Sequence, residues 1–476
     1  MSRSLPNLIS VTTIAPDGSR RTVQPADVRG RYTFWRRVTA VLLLAVYILL
    51  PWIPINGSPA VFLDVAHRRF HILGFVLAAE DLWLGFFLVT GVAFSLFYVS
   101  AVMGRVWCGW TCPYTVFLEH VYRRVERWID GDGPARRRLE EAPLTVGKVL
   151  RRVFKHGIYL LLSAFIAHVF LSYFVSLRQL YAMMQGPPSQ HWLAFGVVAF
   201  LTASLYFAFS WFREQFCIIL CPYGRLQSAL TDDHTVNVGY DKTRGEPRGK
   251  VNTPGAGDCI NCQRCVQVCP TGIDIRNGLQ LECIGCAACV DACDDIMAKV
   301  GRKPGLIRHD SLAAFKGGRT KWVRPRTVLY GLLLVCGMIV CSLSLLAVKP
   351  VGVSLNRLTG APYFVNNGEI RNQFQLRLVN KRPQPAVYRV ALAPDAPEGL
   401  RLTDAADAVQ VPALGEVVKT VVLTLPKDQF RGPIKTQLSI STEPDGRTQV
   451  ARELEFLGPD PRLQNDEYLN PQNYLR

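Results

Sequence analysis

Apolar residues in this chain gather into runs rather than spreading evenly. Five stretches, roughly 34–53, 82–103, 156–176, 192–212 and 328–348, are long enough and poor enough in charge to cross a bilayer as helices. Each is flanked by basic or aromatic residues, which argues against buried core helices. From residue 365 the pattern changes. "EIRNQFQLRLVN", "AVYRVALA", "GLRLTD", "GEVVKTVVLTLP" and "IKTQLSIST" are short, partly alternating and separated by turn residues. That pattern predicts an antiparallel β-sandwich of immunoglobulin type, with a small barrel as the alternative. Between the two regions, about 240–305 is framed by glycine and proline ("GEPRGKVNTPGAGD", then "GRKPG").

The expected organisation is therefore an α-helical membrane protein with five transmembrane helices, an inserted α+β domain and a C-terminal immunoglobulin-like β-sandwich. We divide it into a polar segment 1–30, a four-helix region 31–235, the inserted domain 240–305, a fifth span 328–348 and a tail domain 350–476. The first span follows a polar stretch and has no small-residue cleavage site, so it reads as a retained anchor rather than a signal peptide.

Charge orients these spans. The net charge is +17, and residues from 350 onward carry 15 Lys/Arg against 14 Asp/Glu, so nearly all the excess lies earlier. The connection between spans 2 and 3 holds 11 Lys/Arg and that between spans 4 and 5 holds 17, whereas the other two hold only Arg68, Arg69 and Arg178. The positive-inside rule then puts the N-terminus, the second connection and the inserted domain in the cytoplasm, and the tail outside. Basic residues beside spans point to anionic lipid and topology, not to nucleic acid.

The chemistry sits in the 14 cysteines. Cys259, Cys262, Cys265 and Cys269 follow C-x2-C-x2-C-x3-C-P, and Cys283, Cys286, Cys289 and Cys293 repeat the spacing with Asp294 in place of proline. This is the bacterial two-cluster ferredoxin pattern, in which the fourth cysteine of each run serves the other cluster. Cys259, Cys262, Cys265 and Cys293 are expected to hold one [4Fe–4S] cluster, and Cys283, Cys286, Cys289 and Cys269 the other. Zinc sites favour pairs separated by a long gap, and a disulfide framework belongs to small secreted domains.

A second set is duplicated. "RVWCGWTCPYTVFLE" follows span 2 and "REQFCIILCPYGRLQ" follows span 4, each with C-x3-C-P-Y at Cys108/Cys112 and Cys217/Cys221. In a helix, positions i and i+4 share a face, so each pair would present both sulfurs together. Pro113 and Pro222 suit the first turn of a following helix. Arg105 and Arg213 would favour thiolates, and thiolates select soft ions, above all Cu(I). Buried cysteine packing as a small hydrophobe is the competing reading.

Other residues carry weaker signals. Cys336 and Cys341 read as packing residues of span 5. His168 lies within span 3, either functional or bonded to a helix carbonyl. His67 and His71 are four apart and read as a solvated loop, and Met183, Met184 and His191 offer soft ligands on the outer side. No nucleotide-binding glycine fingerprint follows a strand.

At "GRVWCGWTCP", "REQFCIILCPYGRLQS", "YDKTRGEPRG", "CVQVCPTGIDIRNGLQLECIGCAACVDAC" and "GLIRH" the chain resembles the FixG/CcoG family of cytochrome c oxidase accessory proteins, over about residues 30–476. The resemblance implies a membrane-bound polyferredoxin with a C-terminal immunoglobulin-like domain. It also implies reduction of Cu(II) to Cu(I) for maturation of a cbb-type oxidase, with copper carriers and assembly factors as partners. On that reading Cys108, Cys112, Cys217 and Cys221 are the catalytic thiols. The competing functions are a quinol-linked electron-transfer subunit and an assembly scaffold with structural clusters.

Overall fold

The computed structural model describes residues 23–459 apart from 67, 79–80, 252, 383, 395, 404–407 and 444–447. Among the described residues five helices are long and apolar enough to cross a membrane: Arg31–Leu49, Trp83–Met103, Val146–Leu171, Pro188–Phe212 and Pro325–Leu346. The third begins earlier than its apolar run because its basic first turns continue the helix. Thr145 caps it by accepting from the Lys148 amide at 3.3 Å.

The chain forms two units, residues 1–52 with 87–341, and residues 53–86 with 342–476. In the first, Leu118, Tyr122, Val125, Tyr159, Ile166 and Phe209 form a core between the third and fourth spans and the segment after Cys112. Tyr47 of the first span donates to the Ile166 carbonyl at 2.9 Å, closing that span onto the third.

The cysteine-rich segment is flanked by an antiparallel pair, Val236–Tyr240 with Ile307–Ser311. Val238, Tyr240, Ile273, Ile275, Val290, Met297 and Ile307 bury its core. This domain is bolted to the first span. Asp291, between two cluster cysteines, accepts from the Thr33 amide and hydroxyl at 2.7 Å each and from the Tyr32 amide at 3.2 Å. It thereby caps a helix whose own Gly30 has no side chain to do so. A Cβ on Gly30 would lie 2.3 Å from Asp291 Cγ, so only glycine permits the approach.

The second unit is a sandwich, not a barrel. Arg401–Thr403, Glu416–Pro426, Glu369–Asn380 and Val351–Arg357 pair in that order, with Phe364–Asn366 added to Glu369–Asn380. Val409–Val411, Ala386–Leu392, Ile434–Glu443 and Thr448–Phe456 form a second sheet, and every pairing is antiparallel. Ile370, Val421, Leu423, Leu438, Ile440 and Phe456 are fully buried in its core. Each contributes about 1.5–3 kcal/mol by leaving water.

The connection between spans 1 and 2 departs from expectation. Instead of a solvated loop it forms a three-stranded antiparallel sheet, Val61–Asp64, Arg69–Ile72 and Phe75–Ala78. Arg69 donates to the Leu414 carbonyl at 2.5 Å, and Asp81 pairs with Lys381, so this sheet packs on the sandwich. His71 lies buried on its middle strand rather than in solvent. His67 lies outside the described residues.

Candidate metal centre

The two cysteine runs of the ferredoxin segment repeat in backbone as well as spacing. Asn261 and Gly285 occupy equivalent places with φ of 55° and 66°, and Gln263 and Ala287 with φ of 55° and 59°. These left-handed residues curl each loop before a helix, Arg264–Gln267 in one run and Ala288–Lys299 in the other. Cys293 feels Cys265, Cys259 and Cys262 electrostatically, and Cys289 feels Cys286, Cys283, Cys269 and Cys265.

Cys265, Cys269, Cys283, Cys286 and Cys289 line one cavity with Ile275 and Ile284. Four thiols per group in apolar surroundings fit the donor set of a [4Fe–4S] cluster. Burial pushes the Cys283 and Cys293 thiols up to about 12 and Cys265 to about 11. These three positions therefore hold thiols in the metal-free site, and loading them must release protons. Cys262 alone among the eight is exposed.

The C-x3-C-P pairs are not single helical turns, which corrects the i, i+4 expectation. Cys108 lies in the short helix Val106–Trp110, and Cys112 follows its end. Cys217 lies in the π-turn Phe216–Leu220, and Cys221 follows that. The same bond closes both turns: Cys112 N donates to Trp107 O at 2.9 Å and Cys221 N to Phe216 O at 2.8 Å. Cys112 and Cys221 then precede helices begun by Pro113 and Pro222, with φ/ψ of −58°/122° and −68°/112°.

The structure brings the two pairs together. Tyr114 stacks on Phe216 with ring centroids 4.3 Å apart. Arg105 donates to the Gly224 carbonyl and to Gln227, and a Cβ on Gly224 would lie 3.0 Å from Cys217 O. Cys217 feels Cys112, Cys108 and Cys221. Burial raises the Cys108 thiol to about 12, against an opposing pull from Arg105, and it raises Cys217 too. For Cys108 and Cys217 the expectation of ready thiolates is thus corrected. Arg213 gives no help, because both its terminal nitrogens bond Glu126, at 2.6 and 3.1 Å.

This four-thiol set abuts the ferredoxin. A Cβ on Gly109 would lie 2.5 Å from Ile284 O and 3.0 Å from Cys286 N. Trp110 Nε1 donates to Gly285 O at 3.3 Å, and Arg36 Nε to Gly109 O at 2.7 Å. Among the described residues no three His, Cys, Asp or Glu side chains converge closely enough to hold a single metal ion.

Sequence reading missed the buried charge lattice beneath these loops. Arg123 is fully buried, pairs with Glu119, and bonds Glu214 at 2.9 Å and the Pro270 carbonyl at 3.0 Å. Glu126 takes Arg213, Arg136 at 2.8 Å and the Tyr159 hydroxyl at 2.8 Å. Burial alone would raise Glu126, but Arg213 and Arg136 hold its carboxyl far below the usual carboxylate range. Arg213 has φ 49°, a strained turn costing about 1–3 kcal/mol that the Glu126 pair maintains. The signal was "RRVER" and "REQ", whose charges stand beside apolar runs.

The remaining candidates stand apart. His168 Nδ1 contacts the Ala164 carbonyl at 2.7 Å, the helix-carbonyl reading. Cys336 is exposed on the fifth span, against the expectation that it packs, and Cys341 is half-buried. Met184 and His191 are exposed, and Met183 is half-buried.

Five apolar helices carrying a two-run cluster domain define a membrane-bound iron–sulfur electron-transfer protein. The family described as "4Fe-4S dicluster domain" matches residues 212–312, "4Fe-4S binding domain" matches 82–131, and "IG-like fold at C-terminal of FixG" matches 341–459. Protein RdxA of Cereibacter sphaeroides is 33% identical over 464 residues, covering 92% of this chain and 98% of RdxA. RdxB of the same organism is 35% identical over 417 residues, 83% of this chain and 87% of RdxB. The nitrogen fixation protein FixG of Rhizobium meliloti is 35% identical over 310 residues, 62% of this chain and 58% of FixG. The chain belongs to the FixG family.

Proposed function

We propose that this protein reduces Cu(II) to Cu(I) at the bacterial inner membrane, supplying the assembly of a cbb-type cytochrome c oxidase. The observation that carries the reading is the meeting of Cys108, Cys112, Cys217 and Cys221 against the Cys286 loop. A bound [4Fe–4S] cluster supplies one electron at a time, and Cu(II) requires one. The residues of this chain hold the two ends of that path in register. Gly109 lets the first motif touch the Ile284–Cys286 backbone, Arg105 ties the first motif to the second, and Asp291 fixes the ferredoxin on the first span. The electron reaches copper by way of the four thiols, and Cu(I) leaves to a copper carrier. The donor is another protein or a quinol.

The ferredoxin faces the cytoplasm in this reading, and the sandwich the periplasm. Lysine and arginine asymmetry supports that orientation. So does the packing of segment 53–86 on the sandwich, which requires both on one side, as four intervening spans allow. Reporter fusions after Lys250 and after Pro350 should report opposite compartments, and a shared compartment would overturn the orientation.

The functional test replaces Cys108, Cys112, Cys217 and Cys221 with serine. The pre-reduced variant should keep the iron of the eight-cysteine segment and lose most of its Cu(II) reduction. Undiminished reduction would remove the thiols from the path. Rapid re-reduction by quinol with no effect of copper would favour a quinol-linked electron-transfer subunit instead.

A further inference from the structure

We infer that Cys108, Cys112, Cys217 and Cys221 together ligate a third [4Fe–4S] cluster, shared between the two C-x3-C-P repeats. The inference rests on the reading above that these thiols lie on the electron path, and it states what they hold there.

Cysteine supply is the first argument. The matched "4Fe-4S binding domain", residues 82–131, contains only Cys108 and Cys112. A cubane needs four thiolates, one per iron. The matched "dicluster" segment, residues 212–312, contains ten cysteines, of which two clusters use eight. The two left over are Cys217 and Cys221, the residues the fold brings to Cys108 and Cys112.

Local geometry is the second. Both repeats close the same five-residue bond before their second cysteine, and both give that cysteine nearly the same φ and ψ ahead of a proline. Cys269 is likewise followed by Pro270. Two equivalent half-sites meeting across the Tyr114–Phe216 stack make a site with two ligands from each side. Tyr114 anchors that meeting, donating to the Arg213 carbonyl at 2.6 Å and the Ala208 carbonyl at 3.0 Å.

Spacing is the third. A single ion held by three or four thiolates draws them onto one point, whereas a cubane holds them apart at four corners. Among the described residues the four thiols sense one another but no three of them converge on one ion, and the same is true of the eight ferredoxin cysteines. Arg105 faces Cys108 and Cys217 and offsets the negative charge that such a cluster brings into a buried site.

The test counts iron and acid-labile sulfide in the full-length protein, purified anaerobically and stripped of copper by a chelator. The unaltered protein should contain about twelve irons per chain, and the four-serine variant about eight. Mössbauer spectra of the unaltered protein should show three cubane components, a readout that does not depend on how the variant folds. Cys336→Ser with Cys341→Ser should leave the iron count unchanged. About eight irons in the unaltered protein, together with one Cu(I) bound and lost in the variant, would overturn the third cluster. Copper reduction measured on the same samples separates the two claims. Iron lost with reduction intact removes the thiols from the copper path and leaves the cluster standing. Reduction lost with iron intact does the reverse.

Discussion

The eight cysteines of the ferredoxin segment and the four of the C-x3-C-P repeats are built on opposite plans. The eight lie between residues 259 and 293, and their curled loops are shaped by local left-handed residues such as Gln263 and Ala287. The four come as two pairs more than a hundred residues apart, each following a membrane span. They meet only because Arg105, Tyr114 and the Glu126–Arg213 pair hold the span ends together. A site made of one chain segment survives the movement of its surroundings. A site assembled across helices depends on every contact that sets their register. The buried charge lattice lies under the second kind of site.

The sharpest way to break this comparison is to remove the crossing residue. Cys269→Ser should cost about four irons, from the group built by Cys283, Cys286 and Cys289. Spin resonance should show that signal lost and the Cys259 group retained. Loss of the Cys259 group instead would end the crossed assignment.

Next in size is the lattice. Arg123→Met removes a fully buried cation that Glu119 and Glu214 both face. Stranding those carboxylates should cost about 3–5 kcal/mol, read by thermal unfolding in detergent. The four-thiol site should be disturbed more than the eight-cysteine segment. Glu126 adds a pH dependence of defined sign. Its folded-state pKa is depressed, so its contribution is full above the unfolded value of 4.5 and falls away as pH drops below it. Unfolding profiles between neutral pH and pH 4 should show little loss from this group, and steeper loss only below.

Smaller effects follow at the joints. Gly109→Ala puts a methyl 2.5 Å from the Ile284 carbonyl, an overpacking worth about 1–3 kcal/mol. It should shift the spectrum of the Cys283 group while leaving the Cys259 group unchanged. Asp291→Ala uncaps the first span and should cost about 0.5–2 kcal/mol. An unchanged melting temperature in that variant would mean that the ferredoxin is held by other contacts.

The sequence by itself determined the elements whose rules are local. Five apolar runs became five spans because a bilayer demands a fixed length of helix. Alternation after residue 365 became strands because side chains in an extended chain point to alternate faces. The two four-cysteine runs could be read from spacing because their thiols lie on one short stretch of chain. The tertiary structure decided everything that depends on distant groups sharing one interior. Segment 53–86 looked like a loop, yet its three strands are stabilised by Lys381 and Leu414 on the sandwich. Arg213 looked like a cation beside Cys217, yet it is turned away onto Glu126. Each C-x3-C-P pair was visible in the sequence, but their convergence was not. It rests on burial and hydrogen bonding between residues a hundred positions apart, and no spacing rule along the chain encodes such contacts.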